Sequence, residues 1–141
     1  MKKLFITGLS IFFILFGTKA QVTGTPYPDE NNAPEMKMDK VVHDYGTIEK
    51  NADGTCEFKF TNTGKTPLII SKCQASCNCT VPTCPIEPIL PGNSGTIKVS
   101  YGTSRVGIIS KQITVYSNAK NSPIILNIKG NVVEKSATPN R

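Results

Sequence analysis

Hydrophobic and polar positions alternate with a period of two along most of this chain. Cys56, Phe58 and Phe60 fall on one face of a segment whose other face carries Glu57, Lys59 and Thr61. That alternation predicts a half-buried β-strand. Ile97, Val99 and Tyr101 repeat it, as do Ile113 and Val115, then Ile124, Leu126 and Ile128 within Pro123–Val133. Val41–Ile48 and Leu68–Ser71 read as two further strands, with Gly46 marking a bulge or bend in the first. Turn-forming residues separate them at Asn62–Pro67, Gly92-Asn93, Gly102–Gly107 and Ser117–Ser122. No ten-residue helical periodicity occurs after the first twenty residues. About seven short strands in roughly 100 residues predict an all-β fold, a two-sheet sandwich. The expected core is Phe58, Phe60, Ile69, Ile97, Val99, Ile113, Val115, Leu126 and Ile128. With no tryptophan in the chain that core is modest, and a covalent cross-link would support it.

The first twenty residues follow a different pattern. Lys2 and Lys3 precede an apolar run from Leu4 to Phe16, and small residues follow at Thr18 and Ala20. This arrangement predicts a secretory signal peptide over 1–20, cleaved after Ala20. The run is too short, and too interrupted by Thr7, Gly8 and Ser10, to span a bilayer, so no stable membrane anchor is expected after cleavage. Residues 21–36 hold Pro26, Pro28 and Pro34 among polar residues and read as a flexible linker. The sandwich is then expected over 37–133, with a polar tail over 134–141.

Charge changes the picture little. Removing Lys2, Lys3 and Lys19 from sixteen basic residues leaves thirteen against ten acidic ones, a net of +3. The remaining lysines are scattered and form no block, which argues against binding nucleic acid.

Several strings are informative together. They are His43-Asp44-Tyr45-Gly46-Thr47-Ile48, Phe58–Gly64 followed by Pro67–Ile70, Ser76-Cys77-Asn78-Cys79-Thr80, Pro91–Gly95, Lys111–Asn118 and Leu126–Val132. In this order and spacing they resemble an uncharacterised family of exported bacterial immunoglobulin-like domains with an S-C-G-C-T motif. The resemblance covers Met38 to Val133 and implies fold and export, but no activity. Asn78 stands where the motif has glycine, and asparagine is the residue next most tolerant of a left-handed turn. Cys56, Cys73 and Cys84 lie outside the motif.

The five cysteines carry the candidate chemistry. In an exported chain their first reading is disulfides. Cys56 and Cys73 lie equidistant from the midpoint of the Asn62–Pro67 turn, so a hairpin would set them opposite each other. An arch between sheets would leave them at equal depth and near one another across the core, so a bond is feasible either way provided the Cα atoms come within about 7 Å. That pair would close an eighteen-residue loop worth about 3 kcal/mol. Cys77, Cys79 and Cys84 remain, and three cannot all pair internally. A Cys77–Cys79 bond closes a small ring and would be easily reduced; Cys84 could instead bond either one. Four prolines at every third position, Pro82, Pro85, Pro88 and Pro91, make Cys73–Gly92 an extended loop.

Two rival readings use the same residues. The pair Cys77 and Cys79 could present two soft sulfurs to copper, with Met36, Met38 or His43 adding ligands. The C-x3-C-x-C-x4-C spacing does not match a zinc ribbon. A thiol–disulfide redox role is the second rival, although the pair is not C-x-x-C and no helix follows it. His43, the single histidine, could act as a base or a ligand, but no convincing Cys-His-Asn or Ser-His-Asp set accompanies it, and beside Asp44 at a strand end it reads as an ordinary surface or hydrogen-bonded residue. Tyr45, Tyr101 and Tyr116 fit packing better than a ligand patch. Asn78-Cys79-Thr80 matches the glycosylation pattern by chance in a bacterial setting. The functional expectation is an exported, non-catalytic binding or structural module in the periplasm or outside the cell. It requires no cofactor, and its partner would be a protein or glycan at the cell envelope.

Overall fold

The computed structural model describes residues 30–136. The expected signal peptide, most of the linker and the last five residues of the tail lie outside them. Eight strands form two four-stranded sheets, with no helix among the described residues. They are β1 (Met36–Met38), β2 (Val42–Glu49), β3 (Thr55–Asn62), β4 (Ile70–Ala75), β5 (Thr80–Thr83), β6 (Ser94–Tyr101), β7 (Gly107–Ser117) and β8 (Ile124–Val133). One sheet has the order β1-β3-β6-β5 and the other β2-β8-β7-β4. All pairings are antiparallel except β2 with β8. Two stacked sheets with inward-alternating residues are the sandwich that the period-two pattern predicts.

The strands form where the alternation is cleanest. In β3, Cys56, Phe58, Phe60 and Asn62 are buried while Thr55, Glu57 and Lys59 are exposed. β6 answers in register, Val99 opposite Cys56 and Ile97 opposite Phe58. Gly95 lies opposite Phe60, and a Cβ there would sit 2.5 Å from the Phe60 ring, so only glycine lets the ring lie flat on the strand. The expected bulge in β2 is present. The register shifts between Asp44 and Thr47, Gly46 has a φ of 62°, and Asp44 Oδ1 accepts a 2.8 Å bond from the Gly46 N–H. That bond, ahead of the neighbouring Lys129, holds the Asp44 carboxyl below its ordinary pKa.

Eight of the nine expected core residues are buried. The ninth, Ile69, is 45% exposed, and its neighbour Leu68 takes the core place. The expected strand over Leu68–Ser71 begins later, at Ile70, and its register shifts between Ile70 and Lys72. Leu68 instead makes an isolated bridge to Ile89, which turns its side chain inward. Other core members come from less regular stretches: Met36 on β1, Ile109 at the start of a β7 longer than expected, and Val132. Met36, within the stretch read as linker, is fixed by Asn121, whose Oδ1 accepts from the Met36 N–H and whose Nδ2 donates to its carbonyl. The extended loop expected over Cys73–Gly92 is also partly strand. β4 runs to Ala75, and β5 includes Pro82 because an edge strand can spare one N–H donor.

Candidate functional site

β4 and β5 are edge strands of different sheets, and the chain passes directly from one to the other. All four clustered cysteines lie on this path. Cys73 on β4 is bonded to Cys84 just after β5, with Cα atoms 6.5 Å apart, so this disulfide staples the two sheet edges. Cys77 is bonded to Cys79 in the intervening turn, with Cα atoms 5.3 Å apart. Cys56 is a free thiol, 5% exposed.

These pairings replace the expected Cys56–Cys73 bond, and Cys84 bonds neither Cys77 nor Cys79. The physical reason is the arch. The chain leaves β3 in one sheet and enters β4 in the other, so the two strands share no ladder. Cys56 sits opposite Val99 in the middle of its sheet, whereas Cys73 sits opposite Val115 at the edge of the other. Symmetry about a turn places residues at equal depth but does not bring them across the core. Edge-to-edge proximity favours Cys84 instead.

Burial raises the Cys56 thiol pKa; the neighbouring Tyr45 hydroxyl and Lys40 act the other way but less strongly. The Tyr45 hydroxyl is pushed up by burial and by the same Cys56 contact, and it donates to the Gly54 carbonyl at 2.6 Å. Native Cys56 should therefore resist iodoacetamide at pH 8 and react fully in guanidinium, as read by intact mass. Labelling of the folded protein at the rate of free glutathione would contradict its burial. The sign of the pH effect follows. Stability is unaffected below the ordinary thiol value of 9.0 and falls above it, because the unfolded thiol ionises before the folded one.

The Cys77–Cys79 turn is held by four hydrogen bonds. Thr80 N–H donates to the Cys77 carbonyl (3.3 Å) and Gly102 N–H to the Cys79 carbonyl (2.8 Å). Ser76 N–H donates to the Gln112 carbonyl (2.9 Å), and Gln112 N–H donates to Ser76 Oγ (3.1 Å). Asn51 is the one non-glycine residue of positive φ among the described residues, so Asn78 replaces the motif glycine without left-handed backbone. The Thr80 hydroxyl, buried below the turn, contacts both sulfurs, Cys77 Sγ at 3.5 Å and Cys79 Sγ at 3.9 Å.

Beside this turn an open cleft of about 680 Å³ runs between it and the β6–β7 loop. Its walls include Cys77, Asn78, Cys79, Tyr101, Arg105 and Lys111. Lys111 has the inward parity of Ile109 and Ile113 but points into the cleft mouth, half-buried. No carboxylate lines the cleft, and neither Arg105 nor Lys111 is ion-paired among the described residues. The cleft is therefore cationic. The sequence placed Thr80 and Lys111 only within the motif strings and assigned no site role to either or to Arg105. The two cations lie in different segments, and only the fold gathers them.

The other candidates lie elsewhere. His43 is on β2, at the opposite edge of its sheet from β4, and Met36 and Met38 are on β1, three strands from β5. Three strand spacings are about 14 Å, so these residues do not join Cys77 and Cys79. Among the described residues no three His, Cys, Asp or Glu side chains gather as a metal group. His43 packs edge-on against Tyr45, ring centroids 4.5 Å apart, and its Nδ1 accepts from Lys40 Nζ at 3.1 Å. Burial and Lys40 lower its pKa against the opposing pull of Asp44. Tyr45 and Tyr101 lie in ring contact at 6.5 Å, while Tyr116 is 40% exposed on β7 and shares no ring contact with them.

Fold comparison places this geometry among immunoglobulin-like sandwiches of the PapD-like and MSP kinds. A PapD-like domain of human CEP192 superposes with a TM-score of 0.62 at 9% identity, over 82% of this chain and 97% of that one. An MSP family member of Caenorhabditis elegans gives 0.51 at 12% identity, over 70% and 97%. A protein of unknown function from Porphyromonas gingivalis gives 0.66 at 14% identity; 76% of this chain is covered, and it spans 50% of that longer one. The chain belongs to the family described as protein of unknown function (DUF1573), whose model matches residues 36–132. No curated protein matches it.

Proposed function

We propose that this chain is an exported, non-catalytic module of the cell envelope that holds an acidic segment of a partner protein in the cleft beside the cysteine turn. The observation that carries this reading is a cleft lined by Arg105 and Lys111 with no carboxylate. Its rim adds apolar Val106 and Ile108, the latter 84% exposed. Cations beside apolar side chains suit a peptide that carries both carboxylates and apolar side chains. Two disulfides agree with an oxidising compartment in the periplasm or outside the cell.

Arrays of carboxylate-rich peptides and uronic-acid oligosaccharides test it. The wild-type protein should bind acidic peptides, more weakly as salt rises. The double variant Arg105→Glu with Lys111→Glu should lose about tenfold or more in affinity. Lys59→Glu, on the exposed face of β3, should not. Binding confined to the oligosaccharides would assign the cleft to glycan. Equal binding by wild type and double variant would remove the cleft from the function.

A further inference from the structure

We propose that the Cys77–Cys79 pair is a thiol–disulfide exchange site that takes two electrons from the dithiol of an exported protein or peptide. It goes beyond binding and uses the same cleft without requiring its acidic ligand.

The two disulfides of this chain differ in their surroundings. Cys73 and Cys84 are half-buried residues of two sheet edges that pack against the core and line a smaller pocket of about 290 Å³, and their bond is structural. Cys77–Cys79 closes a loop with one intervening residue, and Cys79 is exposed in an open cleft while Cys77 is half-buried. The turn does not rely on its disulfide, because four hydrogen bonds to β5, β7 and the segment after β6 hold its backbone. Opening the bond therefore leaves the fold in place. The buried Thr80 hydroxyl has the two sulfurs as its only hydrogen-bond partners among the described residues. A hydroxyl placed there can donate to a sulfur that becomes anionic. Arg105 and Lys111 supply positive charge with no carboxylate opposing it, which is the environment that stabilises a thiolate.

Exposure selects the order of events. A substrate thiolate attacks Cys79 Sγ; the Cys77–Cys79 bond breaks, and a mixed disulfide forms on Cys79. Cys77 leaves as a thiolate, nearest the Thr80 hydroxyl, and takes up a proton from water. The second substrate thiolate then attacks the substrate sulfur of the mixed disulfide. That bond breaks, the substrate disulfide forms, and Cys79 leaves and is protonated. The substrate loses two electrons and two protons, and the Cys77/Cys79 pair gains both.

The oxidised full chain, treated with reduced glutathione and trapped with iodoacetamide, should open Cys77–Cys79 at least about tenfold faster than Cys73–Cys84 by peptide mapping. One equivalent of a reduced two-cysteine peptide should become oxidised. Cys77→Ser should accept glutathione from its disulfide on Cys79 at least about tenfold faster than Cys79→Ser accepts it on Cys77. Thr80→Val and Arg105→Gln with Lys111→Gln should each shift the thiolate absorbance profile of the reduced pair to higher pH, which a merely structural change would not do. Equal opening of the two disulfides, a peptide left reduced, or preferential reaction at Cys77 would overturn the proposal. Circular dichroism checks that each variant is folded. Wild-type protein that binds no acidic peptide on the arrays, while glutathione still opens Cys77–Cys79 first and the two-cysteine peptide is oxidised, would remove the binding role and leave this activity standing.

Discussion

Replacing Asn62 with alanine is expected to cost about 4 kcal/mol of stability and to lower Tm by roughly 20 °C. Asn62 ends β3 on the inward side, where its side chain is 0% exposed. Its Nδ2 donates to the carbonyls of Thr66 (2.8 Å) and Ile89 (2.9 Å). Its Oδ1 accepts from the N–H groups of Gly64 (3.0 Å) and Glu35 (3.4 Å). One side chain thus gathers the β3–β4 arch, the strand-like segment at Ile89 and the entry to β1. Alanine removes all four bonds. Stranding a buried backbone group costs about 1–3 kcal/mol, so the sum is large even if water enters to satisfy some of them. Urea unfolding of wild type and variant measures it. A loss below about 1 kcal/mol would mean that the arch holds itself and that Asn62 merely fills space.

The second large effect separates the disulfides. Removing Cys73–Cys84 with two serines should cost about 3 kcal/mol, and removing Cys77–Cys79 about 1.5 kcal/mol or less. The contrast rests on chain entropy, since the bonded residues are 11 apart in one case and 2 apart in the other. Packing adds to it, because Cys73 and Cys84 also lie against the core while the pair in the turn does not. Thermal unfolding of the two double variants, each with the other disulfide intact, should rank them in that order. The reverse ranking would make the turn the structural staple and would leave the two sheet edges to close without covalent help.

Much of the sandwich could be read from residue order. Period-two burial is a local property, so Phe58, Phe60, Ile97, Val99, Ile113, Val115, Leu126 and Ile128 declared themselves. The bulge at Gly46 did so as well, because a glycine inside a strand pattern carries a backbone meaning. Failures came where neighbouring residues were chemically alike or where local pattern gave no direction. Leu68 and Ile69 are both aliphatic, and only the bridge to Ile89 determines which points inward. Asn62 looked like a turn residue because its polarity pointed outward, yet its alternation with Phe60 placed it inward. Asn121 is harder still: nothing beside it in sequence shows that it will serve as a hydrogen-bonding neighbour for Met36, 85 positions away.

The candidate site was legible only in its inventory. The cysteines and the S-C-x-C-T string stood out, but Cys56–Cys73 was inferred from distance along a turn, and bonding depends on distance in space. Whether the chain after β3 folds back or crosses to the other sheet is decided by which sheet can bury the next strand, a competition among long-range pairings. That choice separated Cys56 from Cys73, set β4 beside β5, and so paired Cys73 with Cys84. It also brought Arg105 and Lys111 to the wall beside Cys79. By itself, then, the sequence determined the strand periodicity, most of the core and the membership of the cysteine turn, because these follow from neighbours along the chain. The tertiary structure alone decided the cysteine pairing, the buried role of Thr80 and the cationic cleft, because each depends on residues that meet only when the two sheets close on one another.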